Sequence, residues 1–397
     1  MMRATVSLGS NVGSREIFLE SALARLCELP KTRLVVASKV RETEPVDVPG
    51  EFAALKFLNQ AAIFETELEV DDFSRRMHAV EDSLGRVRSV RNGPRTIDID
   101  LIFFGDLTVS REDLTLPHPR FAEREFVMEP LRELWLGELR RYYDSYVAGY
   151  RDANGRLPEM MQLKYEHTMA VVRNAEEIAA GEGFSGAHRF VSLAAALLHD
   201  TGRYEQLRLY NSFKDSETVD HAVFSHDIVR RENWLGKAIG SVWSRAEQNV
   251  AAILKAILYH NRRELPSGLD PLAEVTAHAV RDADKLDIFR VLEDRVRHSD
   301  WRRDSRAFWN LQVGIAPNPS VVDAIRKGMP VDYQEIRSLA DFVLIQIGWM
   351  ISGLHFRTSR QKCAARGHLA FRREFLREIG GGEIAEGLCD LAEEVMR

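Results

Sequence analysis

Two aspartates separated by one residue, Asp98 and Asp100 in the run RTIDIDLIFFG (residues 95–105), have the type and spacing that phosphate chemistry needs. Successive side chains on a strand point to opposite faces, so the two carboxylates share one face while Ile97, Ile99 and Leu101 share the other. Adjacent anions force one of the pair to keep its proton unless a cation stands between them. Oxygen ligands at this spacing suit Mg²⁺, which keeps several waters and takes further ligands from substrate phosphates. The plain alternative is an exposed edge strand whose polar face happens to carry two acids. The preceding loop favours the first reading, because Arg86, Arg88, Arg91 and Arg95 fall within ten residues among Gly85, Gly93 and Pro94. Planar guanidinium forks bind phosphate oxygens bidentately, so this loop reads as a polyphosphate clamp. Downstream, LPHPRFAEREF adds His118 and Arg124. No GxxxxGK loop ending in Ser or Thr occurs, which excludes a P-loop grip on ATP.

A second series recurs further on: His167, the pair His199 and Asp200, His221, His260 and Asp284. His199 and Asp200 close the apolar run AAALLHDTG, where buried polar groups are costly unless satisfied. Each of the six, taken singly, reads as a capping or surface residue. His226, His278 and His298 fit no ligand pattern and are read as such.

The elements that must position these residues differ between the two halves. Residues 4–8 form a strand-like run, 14–29 have helical spacing, 34–40 are strand-like, and a Pro/Gly-marked loop covers 45–50. An extended 58–64, a helix over 71–84 and a strand over 96–103 complete a βαββαβ order, which predicts a ferredoxin-like α/β sandwich. From Tyr142 onward helical periodicity dominates, over 163–180, 190–199, 246–259 and 339–354, and predicts an all-α second half. The expected organisation is therefore multidomain, 1–137 and 138–397, joined in the polar segment 137–141.

Composition sets outer bounds on this scheme. The chain has 397 residues, 45% of them apolar, enough for more than one core and too many for disorder. A formal net charge of -6 gives no global field for nucleic-acid backbone, so small anions would need local basic pockets. Cys27, Cys363 and Cys389 are too few and too widely spaced for a disulfide framework or a Cys-based zinc site. A cytoplasmic protein without a secretory leader or membrane partner is expected, and the apolar stretch 342–356 reads as a buried helix. Oligomerisation is left open.

Six ordered motifs within residues 2–134 resemble 6-hydroxymethyl-7,8-dihydropterin pyrophosphokinase, a folate-pathway enzyme. They are SLGSN near the start, T-x-P at 43–45, FLN at 57–59, E-x3-GRVR at 81–88, GPRTIDIDLIFFG, and LPHPR-x3-R-x-F. The resemblance implies transfer of pyrophosphate from ATP to the pterin hydroxymethyl with release of AMP. It implies two Mg²⁺ on Asp98 and Asp100, and catalytic roles for these aspartates with Arg86 and Arg95. It assigns Thr43, Val46, Phe57, Asn59 and Phe126 to the pterin, and Glu81, Arg86, Arg88, Arg95, Thr115, His118 and Arg124 to ATP. The chain departs from the family's usual aromatics at Asn92 and Pro119, and its tail after Pro130 and Leu131 reads as short.

The later series resembles the HD superfamily of metal-dependent phosphohydrolases, through LKYEHTMAVVRNAEEIA, LLHDTGRYEQL, FKDSETVDHAVFSHDIV, ILYHN and RDADKLDIF. That resemblance implies a helical bundle with a metal centre on His167, His199, Asp200, His221, His260 and Asp284, with His199 and Asp200 catalytic. Imidazoles with carboxylates favour one or two ions such as Mn²⁺, Fe²⁺, Co²⁺ or Zn²⁺, which acidify water for attack on a small phosphorylated substrate. Lys164, Arg203, Glu205 and Lys285 adjoin these ligands. Two alternatives stand beside the bifunctional enzyme: a helical half that binds metal and nucleotide without turnover, and a kinase half reduced to a pterin-binding scaffold.

Overall fold

The apolar alternation around the acid pair settles how the N-terminal sheet is built. In the computed structural model, which describes residues 1–86, 93–240, 244–299 and 311–396, Ile97, Ile99 and Leu101 are all buried. Each such side chain contributes about 1.5–3 kcal/mol on burial. A one-residue slip would expose all three and push both aspartates into the core, so the register is strongly specified.

The strands are β1 (Met2–Ser10), β2 (Thr32–Ala37), β3 (Arg41–Thr43), β4 (Phe57–Thr66) and β5 (Asp98–Phe104). They pair antiparallel in the order β2-β4-β1-β5, with β3 also on β4. Helices α1 (Arg15–Cys27) and α2 (Val70–Ser83) supply Leu19, Ala22, Leu26, Phe73 and Met77 to the core under this sheet. Short β3 is too brief to show a period-two pattern, and a hairpin of β6 (Val109–Ser110) and β7 (Thr115–Leu116) is likewise additional to the predicted order. This is the ferredoxin-like arrangement.

Helix α3 (Glu125–Ala148) contains the polar segment 137–141. Leu134, Trp135, Leu139 and Tyr143 are buried at helical spacing, and of the charges between them Glu138 is also buried, paired with Arg3 and Arg141, while Arg141 is exposed. The chain after Pro130 and Leu131 stays in this helix, which is fastened to β1 by Arg3 Nη2 donating to Glu138 Oε2 at 2.5 Å. The chain divides into two compact units, residues 1–142 with 233–248, and residues 143–232 with 249–397.

The following helices are α4 (Glu159–Gly181), α5 (Gly186–Leu198), α6 (Gly202–Tyr210), α7 (His221–Arg231), α8 (Trp234–Ile239), α9 (Ser244–Tyr259) and α10 (Pro271–His298). Then come α11 (Pro319–Arg326), α12 (Leu339–Gly348), α13 (Arg357–Ala365), α14 (His368–Ile379) and α15 (Gly382–Met396). In the second unit α4, α5 and α10 pack on one another. Every residue of α5 from Phe190 to Leu198 is buried, as an all-round apolar helix must be. The stretch 342–356 divides into most of α12 and a π-helical turn, Trp349–Gly353. Among the described residues no helix is long and apolar enough to cross a membrane.

Helix α10 is anchored by a buried ionic group. Arg372 on α14 is fully buried and donates to Glu293 Oε1 (2.8 Å), to Gln346 Oε1 (2.7 Å) and to the carbonyls of Phe289 and His368. His368 Nδ1 lies 2.6 Å from the same Glu293 oxygen. Burial opposes ionisation of Glu293, but His368 and Arg372 outweigh it and hold its carboxyl below the usual range. Removing one charge of a buried pair strands the other, at a cost of about 3–5 kcal/mol. Glu293→Gln should therefore lower the melting temperature by roughly 10 °C in calorimetry. A depressed carboxyl contributes stability that is present above its unfolded pKa and lost as pH falls through the folded one. The wild type should lose this increment on acidification and the variant should not.

Candidate functional site

The register of three strands assembles the first cluster. Asn59 on β4 lies opposite Gly9 on β1, and Gly9 opposite Asp98 on β5; Ser7 is opposite Asp100. A Cβ on residue 9 would stand 3.2 Å from Asn59 Oδ1, so glycine keeps this row open between the acid and the amide. A single pocket is lined by Ser7, Gly9, Thr43, Phe57, Asn59, Arg95, Asp98, Asp100, Arg124 and Phe126, together with Glu44, Val46 and Asp47. It brings together all five side chains expected for the pterin and both acids. Asn59 Nδ2 donates to Thr43 Oγ1 at 2.7 Å, leaving its carbonyl oxygen to face the pocket row. The guanidiniums of Arg95 and Arg124 lie 5.1 Å from the Phe57 ring and 5.7 Å from the Phe126 ring.

The acids differ in surroundings. Asp98 accepts from Arg86 Nη2 at 2.7 Å and from Arg95 Nη1. Asp100 has looser neighbours, Arg124 Nη1 at 3.9 Å and His118 Nε2 at 4.0 Å. Burial, followed by repulsion from Asp98, pushes the Asp100 carboxyl up to about 6. An acid pair held this way has unmet demand for a cation, which a divalent ion bound with phosphate satisfies. Burial and the nearby Arg124 and Arg120 bring His118 down to about 4, so its imidazole is neutral and can accept or donate without adding charge. Thr115 lies on β7 and is exposed. Arg88, Arg91 and Asn92 lie outside the described residues.

Glu81 is the residue expected among the ATP contacts that lies deepest in the fold. It is buried, accepts the Ile99 backbone N–H at 2.9 Å and lies 2.8 Å from His78 Nδ1. Its carboxylate therefore grips the β5 backbone between the two aspartates. Asn11 is the residue that the sequence pattern passed over: it is buried and bonds the Arg95 backbone in both directions. The Asn of SLGSN, at the end of a strand, was the available signal.

The second cluster lies in the second unit, where α4 carries His167, the end of α5 carries His199 and Asp200, and α10 carries Asp284. His221 begins α7 and His260 follows α9. Gly202 allows α6 to meet α7, since a Cβ there would lie 2.7 Å from Ser225 N and 2.9 Å from the His221 carbonyl. Asp200 is the hub. Its Oδ2 lies 3.7 Å from both His167 Nε2 and His199 Nε2, and its Oδ1 lies 3.5 Å from His221 Nε2 and 3.9 Å from His260 Nε2. Asp284 Oδ1 approaches His167 Nε2 at 3.1 Å and His199 Nε2 at 3.9 Å.

Every one of the four imidazoles has its other nitrogen engaged. His167 Nδ1 meets Asp287 Oδ2 at 2.7 Å, His199 Nδ1 the Ala196 carbonyl at 2.8 Å, His260 Nδ1 the Ile257 carbonyl at 2.7 Å, and His221 Nδ1 meets Asp215. These acceptors suit Nδ1–H and set each Nε2 on the Asp200 side, where His221 Nε2 and His260 Nε2 stand 3.0 Å apart and where the four nitrogens would face a bound ion. His199 Nε2 is buried with no hydrogen-bond partner. Such an orphan lone pair, with two carboxylates beside it, fits a divalent metal. Burial opposes ionisation of Asp200, but Lys164, His199, Arg203 and His221 hold it well below the ordinary range. Asp215, Asp220 and His221 also lie close enough to share an ion, but Asp220 caps α7 and accepts from Asn261, and Asp215 orients His221. That trio therefore supports the hub.

Lys164 Nζ contacts Asp200 Oδ2 at 2.8 Å and Arg203 Nε lies 3.6 Å from Oδ1. Lys285 donates to the Gly353 carbonyl and Glu205 pairs with Arg208. His226 pairs with Asp227, His278 stacks on His355, and His298 meets the Asp294 carbonyl, so none of the three joins the hub.

An antiparallel ferredoxin-like sandwich with an acid pair under an arginine-lined pocket, followed by a helical His/Asp hub, defines a two-part protein with two separate polar centres. Residues 5–136 match the family model for 7,8-dihydro-6-hydroxymethylpterin-pyrophosphokinase, and residues 165–288 match that for the HD domain. The 2-amino-4-hydroxy-6-hydroxymethyldihydropteridine pyrophosphokinase of Bacillus subtilis strain 168 is 38% identical over 131 residues, 33% of this chain and 77% of its own length. Its counterpart in Methylorubrum extorquens AM1 is 40% identical over 134 residues, 34% of this chain and 83% of that protein. The bifunctional protein FolKE of Lactococcus lactis IL1403 is 32% identical over 238 residues, 57% of this chain and 67% of that protein. The chain belongs to the 7,8-dihydro-6-hydroxymethylpterin-pyrophosphokinase family and carries an HD domain behind that part.

Proposed function

We propose that this chain is a bifunctional enzyme of folate synthesis, with pyrophosphoryl transfer in residues 1–137 and phosphoester hydrolysis in residues 138–397. The observation that carries the first activity is the shared pocket of Asn59, Phe57 and Phe126 with Asp98, Asp100 and Arg95. A flat heterocycle between the two aromatic rings would present its hydroxymethyl toward the acid strand. Asp98 and Asp100 would hold the Mg²⁺ ions that accompany ATP, which supply neutralising charge at the phosphate oxygens. Arg86, Arg95 and Arg124 hold the polyphosphate, with Arg88, His118 and Thr115 also assigned to ATP. The pterin hydroxyl oxygen forms its bond to the β-phosphorus and releases its proton to water as the bond from that phosphorus to the α–β bridging oxygen breaks, and AMP leaves with that oxygen. Positioning and electrostatics carry most of this rate.

In the helical half His167, His199, Asp200, His221, His260 and Asp284 would hold one or two divalent ions of the Mn²⁺, Fe²⁺, Co²⁺ or Zn²⁺ type. These ions supply an acidified water and neutralise phosphate charge. Lys164 and Arg203 stand beside Asp200, where they steady a phosphate group. Reduced cysteines at 27, 363 and 389 suit a cytoplasmic enzyme.

The test uses the full chain. With ATP, Mg²⁺ and 6-hydroxymethyl-7,8-dihydropterin, chromatography should show AMP and the pterin diphosphate in equal amounts; AMP without the pterin product would defeat the transferase reading. With Mn²⁺ and a panel of nucleotides and phosphomonoesters, inorganic phosphate should appear. Stoichiometric metal without phosphate release from any member would favour a regulatory HD module.

A further inference from the structure

The β1–β5 ladder ends at the pair Gly9 and Asp98, yet the chain on both sides continues toward the pocket. Beyond that end Asn11 N–H donates to the Arg95 carbonyl at 3.2 Å, and the Arg95 N–H donates to Asn11 Oδ1 at 2.8 Å. Asn11 and Arg95 thus exchange two bonds as a ladder pair would, with a side-chain oxygen standing in for one backbone carbonyl. Arg95 itself lies in no strand or helix, so these bonds hold its backbone at a point where the sheet does not. Its guanidinium reaches Asp98 in one direction and the Phe57 ring in another. An error in the Arg95 backbone is therefore delivered first to the guanidinium that meets Asp98.

We propose that Asn11 is a positioning residue for pyrophosphoryl transfer, acting through Arg95, an inference that rests on the transferase reading. It is not among the residues that line the pocket; it sets where the guanidinium meets the phosphates. Asparagine serves because its amide oxygen reaches the Arg95 N–H from the end of β1, which an alanine cannot do.

A misplacement of about 1 Å in such a group costs on the order of 100-fold in rate. Asn11→Ala in the full chain should lower kcat on the order of 10- to 100-fold and change the pterin KM less than about threefold. Asn11→Asp, which keeps the accepting oxygen, should restore most of the loss. The decisive measurement is a double-mutant cycle: in an Arg95→Ala background, Asn11→Ala should add less than about twofold, because residues that act through one another are not additive. A further loss equal to that in the wild-type background would overturn the proposal, as would full activity in Asn11→Ala. The same cycle is run on the affinity for a non-hydrolysable ATP analogue with Mg²⁺, with melting curves to exclude misfolding. If the wild type binds the analogue but never turns over pterin, the transferase reading fails while the binding cycle still decides the role of Asn11.

Discussion

Asp98→Ala is expected to abolish transfer, lowering turnover of ATP and pterin to AMP by about a thousandfold or more, worth roughly 4 kcal/mol of barrier. The size follows from how much converges on this carboxylate. It is one of the two acids assigned to the ions of ATP, and it is the common partner of Arg86 and Arg95. Its loss leaves two guanidiniums without their fixed acceptor, and it removes the repulsion that helps to keep the Asp100 proton. The HD half should be untouched, with bound transition metal and phosphate release both within about twofold of the wild type. Metal analysis and both assays on one preparation provide the check. More than a tenth of the transfer activity surviving would mean that Asp98 does not hold a catalytic ion.

Asp200→Asn should have the converse effect. Among the described residues this carboxylate alone offers one oxygen to His167 and His199 and the other to His221 and His260. An amide there keeps the shape but loses the negative charge, and its nitrogen would present hydrogens to a bound ion. We expect tight transition metal to fall to about a tenth of its wild-type content and phosphoester hydrolysis to fall by roughly a thousandfold. Because an ion that binds only the folded state stabilises it by mass action, Mn²⁺ should raise the melting temperature of the wild type and leave that of the variant unchanged. Pterin transfer should persist. Full metal content in the variant would remove Asp200 from the ligand set and the hub reading with it.

The two results together test separability. Loss of both activities in either variant would mean that the two sites depend on one another.

Much of this was legible in the residue order, because the relevant signals are local. Period-two alternation placed Asp98 and Asp100 on one face over Ile97, Ile99 and Leu101, and an apolar run marked a buried helix ending at His199 and Asp200. Motif order within residues 2–134 brought the pterin and phosphate residues into one list before any coordinates did. The charged residues of 137–141 read as a join because composition cannot tell a polar segment between units from a charged stretch inside a helix. Three residues, as in β3, are too few for any period to show.

What sequence reading could not supply are the contacts between segments far apart in the chain. Glu81, Asn11 and Asp287 all stand within quoted motifs, yet no motif shows that Glu81 grips the Ile99 backbone, that Asn11 extends the ladder to Arg95 or that Asp287 orients His167. Each depends on which strands adjoin and how helices cross, and a hydrogen bond between distant residues leaves no periodic trace. Residue types and their spacing thus determined which chemistry this protein can attempt. Packing then decided which groups carry it out and which hold those groups still, because direction and distance exist only once the chain has closed on itself.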